Sequence, residues 1–254
     1  FHNFTLLHDD VMDKADVRRG SPTVHKKWNE NTAILSGDGM LVLAYQYLAQ
    51  CNPSYLKQIL DLANDTFVGI TDGQQFDMDF ETRNDVSELE YLEMIRLKTS
   101  ILLAACLKMG AILGGASEED ANLLYSFGEK LGLAFQLQDD LLDVYGDVKV
   151  FGKRIGGDIV CNKKTYMYIN TCLLASDEER AILAKWAQYE GDDVDAKIEA
   201  VKGVYDSVGI KGKAEAKIEE LFNEAMSLLN KVSVLEEKKS VLREYALSLM
   251  NRVL

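Results

Sequence analysis

The sequence predicts an all-α protein built as a single large helical bundle, and three observations carry that prediction. Only two prolines, Pro22 and Pro53, interrupt its 254 residues. The long stretches around them are rich in Ala, Leu, Glu, Lys and Met, which lose little conformational freedom on entering a helix. Alternation of period two, the mark of a half-buried strand, is scarce.

Hydrophobic periodicity places helices at about 1–14, 32–50, 54–80, 87–114, 118–147, 163–175, 177–188, 192–206, 211–231 and 235–252. Ser117 followed by Glu118, Glu119 and Asp120 reads as an N-cap with acids in the first turn, where they oppose the helix dipole. The segment 147–162 mixes charges with Gly152, Gly156 and Gly157 and reads as a loop. No linker or low-complexity tract divides the chain, so residues 1–254 are expected to form one domain. The helical pattern is already under way at Phe1, and N-terminal helices are expected to precede it.

A hydrophobic fraction of 47% is ample for a core. The net charge of −13, from 28 basic and 41 acidic residues, argues against nucleic acid or an anionic membrane as the main partner. Cys51, Cys106, Cys161 and Cys172 show no Cys-x-x-Cys spacing and are expected as small buried hydrophobes in a reducing, cytoplasmic setting. No signal peptide or membrane span is visible.

Two acidic motifs stand out: Asp9-Asp10-Val11-Met12-Asp13 and Asp139-Asp140-Leu141-Leu142-Asp143. Each sets carboxylates at i, i+1 and i+4 on an apolar, helical stretch. Like charges at that spacing repel, and burying them costs far more. A cation resolves the conflict. Hard oxygen ligands point to Mg²⁺, which keeps several waters and links one or two carboxylates to substrate phosphates. The expected arrangement is a diphosphate clamped through magnesium by two facing helices; the bland alternative is a pair of solvated acidic patches.

At 100° per residue His2, Asp9 and Asp13 lie within about 40° of one line, with Thr5 beside it. Phe1, Phe4, Leu7 and Val11 point elsewhere. Gly128, Gly132, Gln136, Asp139 and Asp143 share another helix face. The two glycines leave either an open trough for a long apolar substrate or a place for close helix packing. Arg18 and Arg19 follow the first motif, and Lys153, Arg154, Lys163 and Lys164 follow the second. Arginine suits bidentate phosphate recognition. Weaker polar patches are Gln74 with Asp77 at i, i+3, and Lys98-Thr99. His8 and His25 read as structural. Neither a P-loop, a zinc spacing nor a Ser-His-Asp set is present.

In order and spacing, HDDVMD with RRGSP, GQQFD, LKTS, FQLQDDLLDVYGD, GKRIGGDI and KKT closely resemble the trans-isoprenyl diphosphate synthases, or polyprenyl synthetases, which include farnesyl and geranylgeranyl diphosphate synthases. The resemblance covers residues 1 to about 166; beyond that it is to generic helices. It implies the isoprenoid synthase type I fold, a helical bundle around a central cavity. It also implies roles. Asp9 and Asp13 would ligate two Mg²⁺ ions with Asp10 in support, and Asp139 a third with Asp140 and Asp143 in support. Arg18, Lys98 and Lys153 would bind the allylic diphosphate. His2 and Arg19 match positions that bind isopentenyl diphosphate. Thr99 and Gln136 match positions beside the developing allylic cation, Gln74 and Asp77 the family's Gly-Gln-x-x-Asp, and Lys163 a further basic position.

The implied reaction is a Mg²⁺-dependent, head-to-tail condensation of isopentenyl diphosphate with dimethylallyl, geranyl or farnesyl diphosphate, by a cytoplasmic homodimer. Departures from the family pattern are the missing Gly-Lys-x-x-Arg segment, which should precede residue 1, and Arg154, an extra residue that displaces Lys153 from Ile155-Gly156-Gly157-Asp158. In the family, residues at the positions of Phe4 and Thr5 help set product length. One aromatic here resembles geranylgeranyl synthases, so a C20 product is favoured over C15. The alternatives are a class I terpene cyclase, which usually lacks the second Asp-rich motif, and a non-catalytic subunit of a heteromeric synthase, which tends to lose both.

Overall fold

The computed structural model describes residues 1–146 and 155–250. The chain forms two compact units, Phe1–Asn64 and Asp65–Leu254, and helices dominate both. Among the described residues no helix is long and apolar enough to cross a membrane.

The first unit holds α1 (His2–Met12), strands β1 (Val17–Arg18) and β2 (Ser21–Pro22), α2 (Val24–Lys27) and α3 (Glu30–Leu48). It also contains the start of α4 (Pro53–Thr82), which continues into the second unit. The polar turn expected at Arg18-Arg19-Gly20 is a β-hairpin, pairing Val17 with Pro22 and Arg18 with Ser21. Its two loop residues, Arg19 and Gly20, have φ of 52° and 75°. That double left-handed loop matches the twist of a hairpin. A ladder of two residues per strand is too short to leave a periodic trace in sequence. Helix α3 starts where the Asn29 side chain accepts a hydrogen bond from Thr32 N at 2.8 Å. Helix α1 packs on α3. His8 Nε2 lies 3.0 Å from Ile34 O, and a Cβ added to Gly37 would come within 2.2 Å of the His8 ring. His8 is a packing residue, as its sequence reading holds.

In the second unit α4 is followed by α5 (Glu88–Ile95), a π-turn (Arg96–Ser100), α6 (Ile101–Leu113) and α7 (Glu118–Tyr145). Then come α8 (Gly157–Val160), α9 (Tyr166–Leu174), α10 (Asp177–Ala187), α11 (Val194–Ser207), α12 (Ile210–Lys231) and α13 (Glu236–Met250). Ser87 and Glu90 form a capping box at α5, and Ser176 with Glu179 forms another at α10. Ser117 caps α7 by accepting from Asp120 N, as its sequence predicts. The helix expected over 87–114 is broken: Ile101 N bonds to Arg96 O, five residues back. The inserted residue turns Lys98 and Thr99 to a new phase, which a 3.6-residue period cannot reveal. Within the loop expected at 147–162, the described part contains α8, entered through Gly156 at φ 85°.

Helix α7 is the core of this unit. It packs against α6, the π-turn and α12. Phe127 and Leu131 meet Ala225 and Leu229 of α12, while Leu137 and Leu141 join Tyr166, Met167 and Ile210. Each fully buried leucine contributes about 1.5–3 kcal/mol. This packing decides between the two readings of the α7 glycines. A Cβ on Gly128 would lie 2.8 Å from Ala104 Cα, and one on Gly132 would lie 2.7 Å from Ser100 Cα. The glycines admit the backbones of α6 and the π-turn, so no substrate trough runs there. The cysteines also depart from expectation. All four are free thiols; Cys106 and Cys161 are exposed, and Cys51 and Cys172 half-buried. Cys106 stands one step around α6 from the buried Ala104 and Ala105.

Candidate active site

The first acidic motif occupies the C-terminal half of α1. Asp9 is half-buried, Asp13 exposed and Asp10 buried. The hairpin brings Arg18 back onto them: its Nε donates to Asp10 Oδ1 at 2.7 Å and its Nη2 to Asp9 Oδ2 at 3.4 Å. The buried carboxylate is thereby matched by a guanidinium. His2 and Arg19 are exposed. Partial desolvation of the His2 ring, with the charges of Arg19 and Arg18, lowers its pKa, so these three residues share one neighbourhood. Phe4 stacks edge-on with Phe1 and His8, at 5.3 and 4.8 Å between centroids, and Thr5 Oγ1 bonds to His2 O at 2.8 Å. Both ring nitrogens of His25 are buried without a partner among the described residues.

The second unit gathers four of the other sequence motifs. Gly73 on α4 lets the π-turn approach so closely that a Cβ there would lie 2.4 Å from Lys98 N. Lys98 Nζ then reaches Asp77 Oδ2 at 2.5 Å. Gln74, one turn earlier, has a buried Nε2 with no hydrogen-bond partner among the described residues. On the other side of the π-turn Thr99 Oγ1 donates to Gln136 Oε1 at 3.1 Å. Gln136 Nε2 donates to Asp140 Oδ1 at 3.1 Å, and the Tyr91 hydroxyl donates to Asp140 Oδ2. Asp140 is buried, whereas Asp139 and Asp143 are half-buried.

Helix α8 completes the cluster. Gly156 N donates to Asp143 O at 2.6 Å, and Asp158 N donates to Asp143 Oδ2 at 3.0 Å. The Asp158 carboxylate thus joins the others. Burial, then repulsion from Asp158, pushes the Asp140 pKa up to about 8 despite its hydrogen bonds. Burial, then repulsion from Asp143, pushes Asp158 up to about 6, with Lys163 opposing the rise. Burial beside Asp140 holds the Tyr91 phenol well above its usual range.

These groups fit a hard cation. They are oxygen donors whose burial, and then mutual repulsion, raises their proton affinity, which is the electrostatic mark of a place that gains from positive charge. Among the described residues no His, Cys, Asp and Glu side chains already converge as a metal cage. Magnesium does not need one, because waters and substrate phosphates supply much of its octahedron.

Sequence reading overlooked Tyr91 and Asp158. Tyr91 is an apolar-face position of α5 with no motif around it, and Asp158 was seen within Gly-Gly-Asp without a role. Lys153 and Arg154 lie outside the described residues. Lys163 is exposed, and Lys164 bonds through Nζ to Asn162 O at 3.0 Å.

The predominantly helical chain, with one copy of the aspartate motif in each unit, has the helical isoprenoid synthase fold of the solved prenyl synthases it resembles. The polyprenyl synthetase family model matches residues 1–204, and the chain belongs to that family. The match runs past residue 166 into α11. The geranylgeranyl diphosphate synthase of Methanosarcina mazei is 47% identical over 171 residues, covering 66% of this chain and 53% of its own. The chain spans about half the length of the curated relatives it matches. The crystal structure of a geranylgeranyl pyrophosphate synthase superposes with a TM-score of 0.93 at 43% identity, covering 100% of this chain and 78% of that one. A geranylgeranyl pyrophosphate synthase from Corynebacterium glutamicum, complexed with isoprenyl diphosphate and magnesium, is 27% identical with a TM-score of 0.89, covering 98% and 75%.

Proposed function

We propose that the chain acts as a Mg²⁺-dependent trans-prenyltransferase. It joins isopentenyl diphosphate head-to-tail to an allylic diphosphate (dimethylallyl, geranyl or farnesyl), with a C20 product favoured over C15. The observation that carries this reading is the second acidic cluster, where Asp139, Asp140, Asp143 and Asp158 gather and burial, then mutual repulsion, pushes Asp140 up to about 8 and Asp158 up to about 6. Membership of the polyprenyl synthetase family supports it.

On this reading Asp9 and Asp13 hold two magnesium ions and Asp139 a third, with Asp143 in support. Bound magnesium supplies positive charge that neutralises the leaving diphosphate. Asp10, buried, shares Arg18 with Asp9 and so helps to orient it, while Asp140, buried, is itself held by Tyr91 and Gln136. Arg18, Lys98 and Lys153 bind the allylic diphosphate, Lys163 is a further substrate-binding cation, and Asp77 aims Lys98. His2 and Arg19 take the diphosphate of isopentenyl diphosphate. Thr99 and Gln136, hydrogen-bonded to each other, present oxygen dipoles to the allylic cation. Gln74, with Asp77, belongs to the substrate-binding Gly-Gln-x-x-Asp set. Residues 1–254 belong to one prenyltransferase domain, working as a cytoplasmic homodimer.

Calorimetry of inorganic pyrophosphate binding tests the metal reading: binding is expected in Mg²⁺ and lost in EDTA, and equal affinity in both overturns it. Incubation with isopentenyl and farnesyl diphosphates, followed by mass spectrometry, is expected to yield the C20 diphosphate. Failure to extend farnesyl diphosphate overturns the length assignment.

A further inference from the structure

We propose that Lys197 is a positioning residue for the second acidic cluster, acting through α8 to fix the Asp143 carboxylate. The inference rests on the reading that this cluster binds magnesium.

Lys197 lies in the first turn of α11 and is only 5% exposed. Its Nζ donates to Val160 O at 3.0 Å and to Asn162 Oδ1 at 2.9 Å. Burying an ammonium costs far more than burying an apolar side chain of the same size. A lysine here therefore holds something that a methionine or leucine would leave loose. What it holds is the C-terminal end of α8.

Asn162 strengthens that hold. It is a non-glycine residue at φ 54°, a left-handed conformation that asparagine adopts only at some cost. Its Nδ2 donates to Ala187 O at the end of α10 at 3.0 Å, and its own carbonyl accepts Lys164 Nζ at 3.0 Å. One residue thus ties α8 to α10 and, through Lys197, to α11.

The other end of α8 grips the acidic cluster. Gly156 N bonds to Asp143 O at 2.6 Å, and Asp158 N bonds to Asp143 Oδ2 at 3.0 Å. Ile198, the neighbour of Lys197, seats against this end: a Cβ on Gly156 would lie 2.7 Å from its Cδ1. A four-residue helix clamped at both ends is a rigid strut. Lys197 and Asn162 set where α8, and with it Asp143 and Asp158, can stand. Groups that orient ligands in this way typically affect metal affinity more than fold.

The test uses Lys197→Met, which keeps the stem and removes the amine, and Asn162→Gly, which accepts the left-handed backbone and loses the amide bonds. Titration calorimetry of Mg²⁺ into the full chain with inorganic pyrophosphate is run beside steady-state turnover against Mg²⁺ concentration. Both variants are expected to weaken Mg²⁺ binding about tenfold and to raise the half-saturating Mg²⁺ in parallel, while the KM for isopentenyl diphosphate is unchanged. Unaltered Mg²⁺ affinity in a folded variant overturns the positioning role. If Lys197→Met fails to fold, Asn162→Gly decides the question alone. Absence of Mg²⁺ binding in the unaltered chain overturns the magnesium reading itself, a distinct result.

Discussion

On α1 the middle aspartate of the first motif, Asp10, is buried with an arginine: Arg18 Nε stands 2.7 Å from its Oδ1. On α7 its counterpart, Asp140, is equally buried but is held by a phenol and an amide, Tyr91 and Gln136, with Asp158 repelling it nearby. The same Asp-Asp-x-x-Asp spacing therefore meets two electrostatic settings. In the first unit a fixed cation offsets the buried charge within the protein. In the second unit neutral donors share it, and proton affinity climbs. The contrast teaches that a motif specifies which carboxylates a helix carries, while the surrounding packing specifies how much they gain from an added cation.

The largest effects should come from the aspartates proposed to hold magnesium. Asp9→Ala and Asp139→Ala are each expected to lower kcat at least about a hundredfold, the scale of removing an electrostatic transition-state stabiliser. Circular dichroism should show the helices intact, because deleting one repelling carboxylate relieves strain. Near-normal turnover in either variant would remove that cluster from the chemistry.

The two settings should separate next in stability. Arg18→Met strips Asp10 of a charged partner and is expected to cost about 1.5–3 kcal/mol, whereas Tyr91→Phe removes one neutral donor and should cost about 1 kcal/mol. Urea unfolding of both variants checks the order, and equal losses would mean that the two aspartates are held alike.

A further contrast concerns pH. The Asp140 pKa is raised from 3.8 to about 8, with burial the leading cause. Between those values the folded protein keeps a proton that the unfolded chain releases, so metal-free stability falls as pH rises through that window. Each kcal/mol of that loss should lower Tm by about 2–4 °C in a chain of this size. Melting scans without metal at pH 5.5 and 8 should show the decline. Asp140→Asn should flatten it, and a metal-free Tm that rises with pH would contradict it.

Much of this was legible before any coordinates. The helix at 177–188 agrees closely with the observed Asp177–Ala187, and 211–231 with Ile210–Lys231, because apolar residues recur there at helical spacing. The cap at Ser117 and its acidic first turn were readable for the same local reason. Less legible was the π-turn, which shifts phase by one residue inside an otherwise continuous apolar pattern. The α7 glycines were ambiguous because Gly-x-x-x-Gly reports that something comes close without naming it; the backbones at Ala104 and Ser100 supply the answer.

By itself the sequence determined the helical character of the chain, the order of its motifs and the identity of the six aspartates. Helix formation rests on interactions within one or two turns, and those are written locally. Only the tertiary structure decided which aspartate is buried and what supports it. Tyr91 reaches Asp140 across 49 residues, and Lys197 reaches Val160 across 37. Burial and hydrogen-bond partnership are properties of that long-range packing. Identical spacing on α1 and α7 therefore leads to an arginine-paired carboxylate in one unit and a proton-seeking one in the other.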